Sequence, residues 1–410
     1  MSARRSRTPG SSRGLRRTLA GVMAVGLSVT ALSACSVGDA TPGGSSSSSD
    51  GAADSDASTP FRVKSNVAGR KIVPVDRTLR LAASGGSLRS VTVSSDAGEL
   101  PGRLKGDGTA WTATALPEPG VAYRVHAVGK RADGERVVRD STFRTQALTL
   151  DEQTYASVAP LQGETVGVGM PVIVTFDVPV TDKASIEKHM TVDSAPRQVG
   201  SWHWLSDTEA HWRPKSYWKA GTEVSVDLDI NSVPAGAGIY GQESRTVDFT
   251  VGDANVYKVD AQNYQMRVFQ NGELLRTLPI TTGKPGFTTR SGVKVIIEKF
   301  REKRMNSETV GIDPDDPEAW DIDDVEYAMR VTYSGEFIHA APWSEGSQGS
   351  ANVSHGCTGM STADAGWLYD MTKRGDVVEY TGTDRPMTLD NGYGDWNASW
   401  ADWSEGSALS

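Results

Sequence analysis

A mostly β, multidomain protein is predicted by three features of the 410-residue chain. Short β-branched or alternating runs recur from residue 61 to residue 280, cut by Gly-Gly, Asp-Gly and Asn-Gly dipeptides that mark turns. Helical spacing of apolar residues is confined to two stretches beyond residue 360. The length corresponds to several domains at about 150 residues each.

Residues 1–34 read as an export signal. Arg4, Arg5, Arg7, Arg13, Arg16 and Arg17 form a basic start, and an apolar stretch follows over 19–34. That stretch is broken by Gly21, Gly26, Ser28 and Thr30 and is too short to predict a membrane span. It ends in Leu32-Ser33-Ala34-Cys35, which resembles a lipobox, so Cys35 is the expected site of acylation and the first mature residue. An ordinary secretory signal is the alternative. Residues 35–60, rich in Gly, Ser and Asp, read as a flexible tether. The expected location is the outer face of the cell membrane, lipid-anchored and facing the wall. Loss of six arginines and no acids takes the formal net charge from −9 to −15. A surface that acidic argues against nucleic-acid binding.

Residues 61–150 carry strand-like runs at 71–75, 88–93 and 121–128, punctuated by Gly85-Gly86, Asp107-Gly108 and Asp133-Gly134. They predict a small β-sandwich. His126 has no acidic or thiol neighbour in the sequence, which suggests a structural role. Residues 151–252 repeat the style, with runs at 172–176, 190–192, 224–228 and 246–251. Trp202, Trp204, Trp212 and Trp218 form either a core and interface or a carbohydrate-stacking face. Burial is the usual role of large aromatics and is preferred.

A third domain spans 253–382. Runs at 256–260, 265–270 and 275–280, with Asn271-Gly272 between the last two, predict a β-meander. A charged segment follows at 298–304, then an acidic run containing Asp313, Asp315, Asp316, Glu318, Asp321, Asp323 and Asp324. Its spacing is not that of a calcium loop. These acids are expected to select a cationic amine on a substrate. Residues 362–373 predict a helix capped by Thr362. Residues 383–410 form an extension in which Trp396, Trp400 and Trp403 would share one helical face, packing on the third domain.

The chemistry concentrates at 338–359. His339 lies 18 positions before Cys357, and Cys357 follows Ser354-His355-Gly356. If Cys35 carries lipid, Cys357 is the only free thiol and no intrachain disulfide forms. A thiol needs a base to become a nucleophile, and an imidazole is the common one. Gly356 permits close backbone approach, and N–H groups at Gly356 and Cys357 could face an oxyanion. This predicts acyl transfer through a thioester, with Cys357 as nucleophile and His339 as general base and then general acid.

These residues resemble the signature of the L,D-transpeptidases, the YkuD-like cysteine enzymes of bacterial cell-wall synthesis: a histidine, a spacer of this length, then Ser/Thr-His-Gly-Cys. His339, Ser354, His355, Gly356 and Cys357 match it, and the surrounding segments look actinobacterial. Segments 167–171, 200–204 and 217–222 resemble the Ig-like domain preceding the catalytic domain in those enzymes. The resemblance implies two Ig-like domains, a YkuD-like catalytic domain, a flap over the site, and a short helical, Trp-rich extension. It implies that the backbone carbonyl of Ala340 orients His339, that His355 stands behind the first contacts, and that Ser354, Asn352, Trp343 and Tyr333 meet substrate. The implied reaction joins a stem tetrapeptide donor, losing its terminal D-Ala, to the amine of a second stem as a 3→3 cross-link. Carbapenems are expected to acylate Cys357. No cofactor or metal is implied, and a monomer is expected. Gly359 departs from the Asn or Arg usual two residues after the cysteine.

Three alternatives stand beside this reading. Water as acceptor would make the chain an L,D-carboxypeptidase. His339, His355 and Cys357 could ligate zinc. A non-catalytic wall-binding lipoprotein would have no use for a base–thiol pair.

Overall fold

The computed structural model describes residues 60–410. The expected signal, Cys35 and all but the last residue of the tether lie outside the described residues. Strands dominate, and they build three successive pairs of sheets and one small three-stranded sheet of Pro234–Gly236, Ile239–Gly241 and Gln153–Thr154.

The first pair spans residues 62–144. One sheet orders Arg62–Ser65, Arg80–Ser84, Ala110–Ala113 and Gly102–Leu104; the other orders Gly98–Glu99, Gly86–Ser95, Ala122–Arg131 and Arg136–Arg144. Alternation explains the arrangement. In Ala122–Arg131, Tyr123, Val125 and Ala127 turn inward while Arg124 and His126 face out. Phe61, Leu81, Trp111 and Phe143 help close the core. His126 does have an acidic neighbour: the antiparallel register sets it opposite Asp140, with Nδ1 2.6 Å from the carboxylate.

The second pair stacks one sheet of Ala156–Ala159, Val172–Phe176, Glu209–Pro214 and Gly200–Trp204 against another of Thr165–Val166, Arg245–Val251, Glu223–Leu228 and Met190–Ala195. Trp202, Trp204, Trp212 and Trp218 are buried between them. They fill the core and do not form a stacking face.

In the third pair, a five-stranded sheet runs Glu273–Pro279, Gln265–Gln270, Asn255–Asp260, Val377–Thr381 and Gly292–Val295. A four-stranded sheet runs Glu298–Asn306, Asp321–Arg330, Phe337–Ala340 and Thr358–Met360. The helix Thr362–Met371 covers Met329 and Ile338 with Ala365 and Leu368. Its cap is Ser361, not Thr362: the Ser361 hydroxyl accepts from the Asp364 N–H at 3.1 Å. Val295, Ile297, Val377 and Tyr393 belong to the same buried cluster as Val166, Met170 and Phe249. The second sandwich and the third domain therefore share a core, which makes a firm base for a site.

The C-terminal extension differs from expectation. Only Trp400–Glu405 is α-helical, so Trp396 is not on a common helical face. Its rings converge on the second sandwich instead: Arg213 lies 4.8, 5.6 and 4.6 Å from the centroids of Trp396, Trp400 and Trp403. Trp403 is fully buried and donates to the Ser201 carbonyl. Asn397 reaches the third domain, accepting from the Val293 N–H at 2.8 Å. The extension thus clamps two domains, mainly through the sandwich.

Candidate active site

Two neighbouring parallel strands bring the predicted pair together. Phe337–Ala340 runs beside Thr358–Met360 with His339 opposite Gly359, and Cys357 sits just before the second strand. His339 and Cys357 both line one cavity of about 560 Å³. Phe337 and Ile338 are buried apolar residues, so the strand is anchored in the core and His339 is held with it.

His339 is 6% exposed. Its Nδ1 stands 2.7 Å from the Ala340 carbonyl oxygen. A carbonyl can only accept, so Nδ1 carries the proton and Nε2 keeps a lone pair. Burial pushes the imidazole pKa below its usual value, and the carbonyl only partly offsets this. Burial also pushes the Cys357 thiol up to about 11, despite relief from the Phe337 N–H, Lys294 and Arg330; Glu336 adds to the rise. The resting pair is therefore neutral thiol and neutral imidazole. The thiol donates weakly to the Gly335 carbonyl, with Sγ 3.6 Å from the oxygen.

The loop before Cys357 is built from its own polar groups. Ser354 Oγ donates to the Cys357 carbonyl at 2.6 Å and accepts from the Gly356 N–H at 3.2 Å. Gly356 has φ +121°, a conformation that excludes side chains. Trp343 and Tyr333 are more than half exposed at the cavity wall, and Trp343 stacks on His339 with centroids 5.8 Å apart. Asn352 is a correction. It is not among the lining residues, because its amide is committed to the scaffold, accepting from Thr282 N–H at 2.9 Å and donating to the Ala261 carbonyl at 2.9 Å.

His355 turns toward the flap, the antiparallel hairpin of Glu298–Asn306 and Asp321–Arg330. Its Nε2 lies 2.8 Å from Glu318 and its ring stacks under Trp320 at 4.4 Å. Trp320 was not singled out from the sequence, although a lone tryptophan within an acidic run was the available signal. The acids themselves do not line the cavity. Asp313 and Asp316 accept from backbone N–H groups in their own turns, and Asp321 pairs with Arg304. The lining holds Lys303, Arg304 and Arg330 and no carboxylate, so selection of a cationic amine by Asp315 and Asp316 is not supported. Among the described residues, no group of three or more His, Cys, Asp or Glu side chains is placed to hold a metal ion.

Gly359 is fully packed. Its N–H and carbonyl both pair with Thr281 at 2.9 Å. A Cβ there would lie 2.8 Å from Ala341 Cβ and 3.1 Å from Thr281 Cγ2. The missing side chain has left no gap to refill.

Comparison with known proteins gives the family. Residues 70–234 match the family model of a bacterial Ig domain and residues 254–379 that of the L,D-transpeptidase catalytic domain. The chain is 35% identical over 338 residues to L,D-transpeptidase 2 of Mycobacterium tuberculosis, covering 82% of each. It is 31% identical over 347 residues to L,D-transpeptidase 5 of the same species, covering 82% of this chain and 74% of that one. A solved structure of the LD transpeptidase LdtMt1 in complex with imipenem is 37% identical, covers 55% of this chain and 98% of that one, and gives a TM-score of 0.49. With its base–thiol pair beneath a flap and this extent of similarity, the chain belongs to the L,D-transpeptidase family.

Proposed function

We propose that the chain is a peptidoglycan L,D-transpeptidase that joins stem peptides through a thioester on Cys357. The observation that carries this is the Nδ1-protonated His339 sharing a cavity with a neutral thiol. As Sγ attacks the donor carbonyl carbon, its proton passes to His339 Nε2. His339 then protonates the departing D-Ala nitrogen as the C–N bond breaks. The acceptor amine attacks the thioester and gives its proton to His339, and the thiolate leaves as the C–S bond breaks and takes that proton back from the imidazolium. The Ala340 carbonyl holds the ring in one tautomer throughout. Its bond to Nδ1 also favours the imidazolium formed midway. Lys303, Arg304 and Arg330 suit a donor that ends in a carboxylate. The product is a 3→3 cross-link, and imipenem is expected to acylate the same sulfur.

The export signal, acylation of Cys35 and attachment to the outer membrane face complete this reading as proposals drawn from residues 1–60. The chain would then work singly, on a tether, with its two sandwiches between membrane and site.

Mass spectrometry after incubation with a disaccharide tetrapeptide tests the activity. A cross-linked dimer lacking one D-Ala, absent with Cys357→Ala, is the expected result. Tripeptide monomer alone would make the chain an L,D-carboxypeptidase, and an unchanged substrate would remove the enzymatic reading.

A further inference from the structure

Beneath the nucleophile lies an ion cluster that the mechanism above does not use. Lys294 is 0% exposed, on the strand Gly292–Val295, and its Nζ is 2.6 Å from Glu336 Oε2. Glu336 is 5% exposed. Its other oxygen accepts from the Arg290 N–H at 3.0 Å and from the Arg290 guanidinium at 3.1 Å. Burying one ion pair costs several kcal/mol per ion before the mutual attraction is counted, and apolar residues of similar volume often serve as well. A buried Lys–Glu pair with a part-buried arginine beside it is therefore an unusual thing to place in a core for stability alone.

Its position points to the thiol. Gly335, whose carbonyl receives the Cys357 thiol, is the residue before Glu336. A Cβ built on Gly356 would come within 3.8 Å of Glu336 Cγ. Thr289, next to Arg290, donates through its hydroxyl to the Gly356 carbonyl at 2.8 Å. Lys294 Nζ also lies 3.7 Å from the centroid of the Tyr380 ring, and Tyr380 is hydrogen-bonded to Thr358 at 2.7 Å. Three separate ties therefore bind the cluster to residues on either side of Cys357.

The charges do not cancel. Buried Lys294 and part-buried Arg290 face one carboxylate, leaving one net positive charge; at Cys357 itself Lys294 favours the thiolate and Glu336 opposes it. A positive charge there favours a thiolate, and a thiolate is what forms as Sγ attacks and again as the thioester is released.

We propose that Lys294, held by Glu336 and joined by Arg290, is a positioning residue that supplies a fixed positive charge beneath Cys357 and so sets how readily the thiolate forms. Lys294 touches neither substrate nor sulfur; its effect travels through the field and through the backbone it anchors. Burial lowers the Lys294 pKa to about 8, with Glu336 pulling the other way, so the ammonium persists at neutral pH.

The inference rests on Cys357 being the nucleophile. Its test reads the thiol directly, without turnover, so it fails separately from the proposed reaction. The rate of iodoacetamide alkylation at Cys357 is measured at pH 7 on the full chain by peptide mass spectrometry, which resolves Cys357 from Cys35. Lys294→Met leaves Glu336 and Arg290, a neutral pair, and the expected rate falls by about threefold to tenfold, the change that follows from moving a thiol pKa by half a unit to one unit. Glu336→Gln removes the only anion, and even if Lys294 then loses its proton Arg290 preserves the net charge, so the rate is expected to equal or exceed that of the parent. A merely structural cluster would alter both variants in the same direction. A slower Glu336→Gln protein overturns the proposal, as does a Lys294→Met protein alkylated at the parental rate. If Lys294→Met does not fold, Lys294→Gln, which also removes the charge, carries the same expected threefold to tenfold fall, and a parental rate for it overturns the proposal.

Discussion

Two buried histidines in this chain have opposite chemistry. His211, 1% exposed, sits where the second sandwich meets the C-terminal extension. Its Nδ1 is 2.7 Å from Asp395 and its Nε2 is 3.0 Å from Glu209. Carboxylates accept, so both ring nitrogens donate and the ring is an imidazolium. Burial alone would lower its pKa, but the two carboxylates outweigh that and hold it at about 9. His339 is nearly as buried, yet its one polar partner is a neutral carbonyl, and its pKa falls. Burial does not distinguish a structural histidine from a candidate base; the charge of its partners does. A general base must be neutral before it can act, and two carboxylates would forbid that.

The sharpest way to break the comparison is to remove each ring. His339→Gln should leave the fold intact and lower cross-linking by about 10²- to 10⁴-fold, read as D-Ala release per minute. His211→Gln should do the reverse. It leaves Asp395, 1% exposed, without its cation, and should cost about 3–5 kcal/mol of stability by denaturant unfolding while the assembled enzyme still turns over. A His211 variant as stable as the parent would show that the pair is dispensable.

Titration sharpens the contrast. The folded pKa of His211 lies above its ordinary value of 6.5, so its contribution to stability is complete below pH 6.5 and is lost as pH rises through about 9. Unfolding measured at pH 6, 8 and 10 should show this loss in the parent and not in His211→Gln. For His339 the shift is downward, so the acid limb of kcat/KM should fall below pH 6.5. An acid limb above 6.5 would place a carboxylate near the ring that the structure does not show.

Smaller effects concern Gly359 and the flap. Gly359→Asn, which restores a residue usual at this position, should cost about 1–3 kcal/mol, because its Cβ meets Ala341 and Thr281. A melting curve checks it, and a variant as stable as the parent would mean that the strand shifts to make room. Asp315→Asn with Asp316→Asn should leave acceptor KM within about twofold and change stability by no more than ~0.5 kcal/mol, since neither side chain lines the cavity.

Much of this was legible in the residues. Spacing and residue type singled out His339 and Cys357, because a base–thiol pair needs particular side chains in a short, turn-bounded segment. The period-2 burial of Ala122–Arg131 follows from its own alternation. What the chain hid were partners distant in sequence. Asp395 meets His211 across 184 positions and Trp403 meets Ser201 across 202. Asn352 looked available beside the motif, yet its amide is used by Thr282 and Ala261, 70 and 91 positions away.

The sequence by itself determined that the protein is mostly β, which residues alternate inward, and which thiol and imidazole are the candidates for the chemistry. Those are properties of side-chain type and local periodicity, which need no distant partner. The tertiary structure alone decided which histidine is charged, that the flap's acids do not line the cavity, and that Lys294 and Glu336 share the floor below Cys357. Each of these depends on the charge and distance of groups that the chain brings together only when it folds, and electrostatic energy in a low-dielectric interior is set by exactly those two quantities.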